Sequence, residues 1–156
     1  MVGYLITGRL PYLPGPVGDL TNIELHFMTA RNLTFDQNYF DVVVGIQNAI
    51  SALKIDPPHL ITESLRVIKE GGKLILSSYS EKIWNERLEW FIQQSKEGLL
   101  GEIDMEKTHD GMIICKDGFQ ASTFTREDFK NIIDNMELKA TIEEIDDSSI
   151  FCIIKK

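Results

Sequence analysis

Apolar and polar positions change period several times along the chain, and each change marks an element. Residues 23–28, Ile23-Glu24-Leu25-His26-Phe27-Met28, alternate apolar and polar positions, the period of a strand with one apolar face. Residues 40–46 form a β-branched run opened by the turn cluster Asp36-Gln37-Asn38, which predicts a strand buried on both faces. Asp56-Pro57-Pro58 opens a helix, because Asp accepts from the first free amides and Pro is tolerated in the first turn. Leu60, Ile61, Leu65 and Ile68 recur at helical spacing, and Gly71-Gly72 is expected to stop that helix. Residues 73–78 read as a second buried strand. Strand, helix and strand joined in this way suit parallel neighbours.

Residues 81–96 predict a long amphipathic helix that buries Ile83, Leu88, Trp90, Phe91 and Ile92 and ends at Gly98. Residues 103–108 and 112–115 read as strands around a His109-Asp110-Gly111 turn, and 119–124 as a further strand. Thr125-Arg126-Glu127-Asp128 is a capping box, which starts a helix running to Met136. Residues 140–145 and 149–154, separated by Asp146-Asp147-Ser148, predict a closing antiparallel hairpin on the sheet edge.

The start differs from the rest. Pro11, Pro14 and Pro16 with Gly15 and Gly18 predict an irregular segment over 1–22, relieved by a short strand at 2–7. The 156 residues are expected to form one domain, 1–156. No run of 18 apolar residues and no basic segment leading into an apolar core occurs, so neither a membrane span nor a signal peptide is expected. The net charge of −8 repels phosphate backbones and no basic patch offsets it, so nucleic acid is not an expected partner. Cys115 and Cys152 form no CxxC pair and no zinc pattern with His26, His59 and His109. The expectation is reduced thiols, a cytoplasmic location and no metal.

Several of these segments, in this order, resemble the C-terminal part of class I S-adenosylmethionine-dependent methyltransferases. Asn22 to Phe27 followed by Ala30-Arg31-Asn32-Leu33 is similar to the family's third strand and turn. Phe35 to Val44 resembles the approach to its fourth strand. The most specific part is Phe40-Asp41-Val42-Val43-Val44 followed by Arg66-Val67-Ile68-Lys69-Glu70-Gly71-Gly72. The resemblance implies an α/β, Rossmann-like fold: a mainly parallel sheet with flanking helices and a C-terminal antiparallel hairpin. It implies S-adenosylmethionine as cofactor and methyl transfer to a small-molecule acceptor.

One family feature has no counterpart. Gly3, Gly8, Gly15 and Gly18 do not form the G-x-G-x-G turn that approaches the cofactor, and Asp19 precedes a strand instead of ending one. The 22 residues before Ile23 are too few for the family's first strand-helix-strand unit, which takes roughly 30. Two function classes follow: an enzyme whose missing half comes from a partner or an unusual loop, and a truncated, non-catalytic interaction or accessory subunit. Without the family's first two strands, the 42–44 strand becomes an apolar edge. Its cover is expected from 2–7, from 23–28 moved inward, or from a second copy, so a homodimer or a partner chain is favoured.

Candidate site residues follow from position. Ligands of open α/β sheets sit at the carboxyl ends of strands, which favours Gln47 and Asn48. By resemblance that segment lines the cofactor, and Thr29-Ala30 matches an adenine-facing pair; loop capping and an ordinary turn are the competing readings. Tyr79 is a candidate to orient a substrate and Trp84 to wall an apolar pocket. Trp90 reads as core. His109-Asp110 is explained by the turn. Glu102, Asp104 and Glu106 would share one face of a strand, most simply a solvated one.

Overall fold

A computed structural model describes residues 2–5, 23–26, 28–109 and 111–156. The expected Pro/Gly-rich segment, Asp110 and the residues that continue the expected 2–7 strand lie outside them. Strands β1 (Val2–Leu5) and β2 (Ile23–His26) pair in parallel as a two-stranded sheet. The main sheet contains β3 (Phe40–Gly45), β4 (Ile68–Tyr79), β7 (Ala140–Ile145) and β8 (Ser149–Lys155), ordered β3-β4-β8-β7. It is mixed: β3 and β4 run parallel, and β8 is antiparallel to both β4 and β7. The closing hairpin therefore enters with its second strand inside the sheet and its first at the edge.

Helices α1 (Ala49–Ala52), α2 (Pro57–Val67) and α4 (Arg126–Asn135) supply the cover. Asp56 caps α2 and the Thr125–Asp128 capping box starts α4, as expected from sequence. Leu60 and Ile61 of α2, Phe129 and Ile133 of α4 and Ile50 of α1 form one core with Leu74, Leu76, Ile150, Cys152 and Ile154. Those strand residues alternate, so they all lie on one face of the sheet. A second core joins α3 (Trp84–Lys96) to the hairpin of β5 (Met112–Ile114) and β6 (Gln120–Ser122) through Phe91, Ile103, Ile113, Cys115 and Ala121. Both cysteines are free and buried; burial raises the Cys115 thiol and pushes Cys152 up to about 11, so neither is primed to react.

Several expectations need correction. Helix α2 ends at Val67, and Gly71-Gly72 lies inside β4, where the register slips between Phe40↔Ile68 and Val42↔Lys73. The glycines thus form a bulge, not a helix stop. Residues 105–107 form a turn, not a strand, because the Lys107 and Thr108 amides donate to the Asp104 carbonyl. Asp104 pairs with Lys107 and Glu102 with Lys116, so these carboxylates form no common acidic face. Trp90 is 53% exposed instead of core.

Strand β3 departs furthest from its expected environment. Val42 and Val44 are 46% and 53% exposed, so the strand is buried on one face only. Val44, Ile75, Ile153 and Thr141 form a row across the face opposite the helices, and none of the four is buried. The outer edge of β3 pairs with neither β1 nor β2, which bond each other. A long apolar run marks a strand as buried only when a neighbour covers each face, and here the described residues cover one.

The approach to β3 is fixed by an ion pair. Glu63 accepts from the Leu33 amide at 2.6 Å and from Arg66 Nη2 at 2.9 Å. Arg66 also donates to the Leu33 and Phe35 carbonyls at 2.7 and 3.0 Å. The Arg66 hydrogen bond holds the Glu63 carboxyl below its ordinary 4.5, against the opposing effect of burial. Its stabilisation is complete above that value and is lost as pH falls through the lower folded value. Glu63→Gln should therefore flatten the acid limb of a stability-versus-pH curve below about pH 4.5. An acid limb of unchanged slope, measured by urea unfolding, would rule this pair out as a source of acid sensitivity.

Candidate functional site

The carboxyl ends of β3 and β4 lie side by side, and the chain leaves each through an unusual turn. After Gly45 come Ile46, Gln47 and Asn48, with φ of 53° and 65° at the last two. Asn tolerates the left-handed region better than most residues, since its short amide finds local partners. Asn48 is 4% exposed, and both the nitrogen and the oxygen of its side-chain amide are bonded. Nδ2 donates to the Ser122 carbonyl at 2.7 Å, and Oδ1 accepts from Ser78 Oγ at 2.9 Å. Its backbone amide donates to the Ser77 carbonyl at 3.1 Å. Ser78 Oγ accepts in turn from the Phe124 amide at 2.8 Å, and Ser51 Oγ from the Ser122 amide at 2.9 Å. This latch ties β3, β4 and α1 to β6 and the start of the loop into α4.

Beyond Tyr79, Ser80 caps a short 3-10 turn, Glu81–Ile83, and donates its hydroxyl to Glu144. Lys82 pairs with Glu144 and Asp147, which fixes the turn to the closing hairpin. A cavity of about 220 Å³ opens here, lined by Ser80, Glu81, Trp84, Arg87, Gly111 and Thr123. Its volume is below the roughly 300–1,000 Å³ of drug-sized sites, so it suits a small molecule or one end of a larger one. Arg87 is only 3% exposed. Nη1 donates to the Gly111 carbonyl at 2.8 Å and to Thr123 Oγ1 at 2.6 Å, and Nη2 to the Ala121 carbonyl at 3.1 Å. Its guanidinium carbon lies 5.0 Å from the Tyr79 ring centroid, 5.4 Å from Phe91 and 5.9 Å from Trp84. Desolvation lowers the Arg87 pKa from its ordinary value, although an arginine stays charged at neutral pH.

The sequence candidates fall into two groups. Tyr79 and Trp84 both pack on Arg87, and Trp84 lines the cavity. Gln47 is exposed, and its backbone amide donates to Ser77 Oγ at 3.0 Å. Thr29 is exposed and accepts from the Arg31 amide at 3.2 Å, the geometry of an ordinary turn. Ala30 is 2% exposed and belongs to the core. Tested as a seat for S-adenosylmethionine, the four expected cofactor residues leave only Thr29 and Gln47 exposed; alone they do not form a cradle. His109 closes its turn by backbone bonds with Met112, at 3.1 and 2.8 Å. Among the described residues no three His, Cys, Asp or Glu side chains gather as for a metal, and no helix is long and apolar enough to cross a membrane.

Arg87, Ser80 and Thr123 escaped the sequence reading. For Arg87 a signal exists. Trp84, Arg87, Leu88 and Phe91 stand at i, i+3, i+4 and i+7, so the arginine sits within the apolar stripe of α3. A charge in such a stripe calls for a partner. Ser80 and Thr123 reach the same cavity from distant parts of the chain.

Comparison with known proteins places this geometry. Residues 14–76 match a family described as a methyltransferase domain. A search of curated proteins gives no match. An S-adenosylmethionine-dependent methyltransferase of Methanosarcina mazei superposes with a TM-score of 0.56 at 18% identity, over 86% of this chain and 67% of that one. The 1,6-didemethyltoxoflavin-N1-methyltransferase of Burkholderia thailandensis gives 0.54 at 8% identity, over 85% of this chain and 51% of that one. A Haloferax volcanii protein solved in complex with a methyltransferase activator gives 0.56 at 12% identity, over 88% and 62%. The chain thus spans between half and two thirds of the length of these structures. It has the fold of the C-terminal part of class I S-adenosylmethionine-dependent methyltransferases and resembles their methyltransferase domain in sequence over residues 14–76.

Proposed function

We propose that this chain carries the acceptor side of a methyltransferase and acts on a small molecule at the carboxyl ends of β3 and β4. The observation that supports this is a cavity just beyond the carboxyl end of β4, walled by α3 and the residues that flank the β5–β6 hairpin. Bound S-adenosylmethionine would bring an already activated methyl group, so the protein's task is alignment more than acid-base chemistry. Gln47 at the end of β3 and Thr29 after β2 are the exposed polar side chains on offer to the cofactor. Tyr79 and Trp84 shape the acceptor end.

A second reading is supported by the open face of the sheet. Val42, Val44 and Ile46 are all about half exposed on and beside a strand edge that pairs with no other strand among the described residues. In that reading the protein is a non-catalytic accessory subunit, its edge covered by a second copy or another chain. Calorimetric titration with S-adenosylmethionine and S-adenosylhomocysteine, with the oligomeric state measured on the same sample, separates the two. Saturable micromolar binding is the result expected for an enzyme. No heat up to millimolar cofactor removes catalysis by this chain alone and turns the search to a partner chain. If a homodimer forms through β3, Val44→Lys should shift the sample to monomer, and an unchanged dimer would place the contact elsewhere.

A further inference from the structure

We propose that Arg87 makes the cavity beside α3 a receptor for the carboxylate of a small organic acid. The inference rests on reading this end of the sheet as the acceptor side, and it names the acceptor's chemical class. Arg87 carries five N–H donors. Among the described residues it makes three hydrogen bonds, all to neutral oxygens: the Gly111 and Ala121 carbonyls and the Thr123 hydroxyl. Nε is buried with no acceptor, and Nη2, with two hydrogens, makes one bond. Nη2 keeps a hydrogen for one oxygen of a carboxylate, and pairing along the Nε–Nη2 edge requires the packing around the closed-off Nε to open as the acid binds.

Among the described residues the charge is also uncompensated. No ion pair among the described residues includes Arg87, whereas Arg66 has Glu63. The faces of Tyr79, Trp84 and Phe91 attract the cation and exclude water, but they cancel no charge. A buried, unpaired cation is costly, and an anion in the adjoining cavity would offset that cost. Glu81 lines the same cavity. Its charge opposes a doubly charged phosphate more than a singly charged carboxylate. An arginine that merely pins α3 to the β5–β6 hairpin would need neither the cavity nor the unused donors.

Trp84 reports on the cavity once the exposed Trp90 is replaced by Phe. In that background propanoate is titrated against inorganic phosphate and chloride at matched ionic strength, and Trp84 emission is followed. The expected result is a saturable change with propanoate at millimolar concentration and at least ten-fold weaker binding of phosphate. Arg87→Lys should weaken propanoate about ten-fold, since a lysine cannot supply the paired donors. If that variant fails to fold, Glu81→Gln serves: it should bring phosphate to within ten-fold of propanoate. Emission that drifts identically with propanoate and chloride overturns the proposal, as does equal propanoate affinity in folded Arg87→Lys. The same samples are titrated with S-adenosylhomocysteine. Carboxylate binding without cofactor binding would keep the receptor and remove methyl transfer by this chain alone; the converse would keep methyl transfer and remove the receptor.

Discussion

Asn48→Ala should destabilise the protein by about 3 kcal/mol, at the upper end of what single substitutions do. The substitution leaves the Ser122 carbonyl and the Ser78 hydroxyl without their partner in a buried place, at about 1 kcal/mol or more each. It also forces a residue with no local amide to hold φ at 65°, which costs about 1 kcal/mol more. For a domain of this size the melting temperature should fall by roughly 10 °C. Asn48→Gly provides the internal control, because it relieves the backbone cost and keeps the loss of hydrogen bonds. It should recover about 1 kcal/mol of the deficit. Urea unfolding of the three proteins measures both differences. A loss below about 1 kcal/mol for Asn48→Ala would mean that the latch is ornamental and that Asn48 is free for a ligand.

This prediction bears on function because of what the latch joins. Ser122 is followed by Thr123, which lines the cavity and bonds Arg87. Asn48 therefore fixes one wall of the cavity to the ends of β3 and β4. Position alone made Asn48 and Gln47 the best-placed polar residues in the chain, and Asn48 stands just after β3. What position could not supply is the direction of its amide, which turns inward to Ser78 and Ser122. Those partners lie 30 and 74 residues away. No local pattern carries that pairing.

The same boundary between local and distant information runs through the fold. Both Asp56 and the Thr125–Asp128 box cap helices where the sequence placed them, because a cap is a contract between residues three apart. The closing hairpin was legible for a related reason: alternating runs around a short turn specify their own partner. Its insertion beside β4 was not legible, since it depends on Leu74 and Leu76 sharing a core with Ile150, Cys152 and Ile154. The exposure of Val42 and Val44 failed in the opposite direction. A β-branched run records an environment, and the described residues supply only half of it. Arg87 stood in plain view within an apolar stripe, but its meaning required the hairpin that folds over it.

The glycine pair offers the sharpest contrast between the two levels. As a helix stop, Gly71 would hold the left-handed turn and Gly72 would be replaceable. The geometry of β4 reverses that order. Gly71 has φ of 78° with open space around its Cβ position, so Gly71→Ala should cost about 1 kcal/mol of backbone strain. A Cβ on Gly72 would lie 2.6 Å from the Asp41 carbonyl oxygen, 2.9 Å from that of Lys69 and 2.6 Å from Ile68 Cγ2. Two of those atoms are backbone and cannot rotate aside. Relief requires β3 and β4 to separate where the Gly72 carbonyl also accepts from the Lys156 amide at 3.1 Å. Gly72→Ala should therefore cost roughly 3 kcal/mol, the upper range for overpacking. It should also loosen β3, whose amide protons would exchange faster than those of β7. Equal costs for the two variants, or a larger cost at Gly71, would restore the helix-stop reading and remove the bulge as the element that sets β3 against β4.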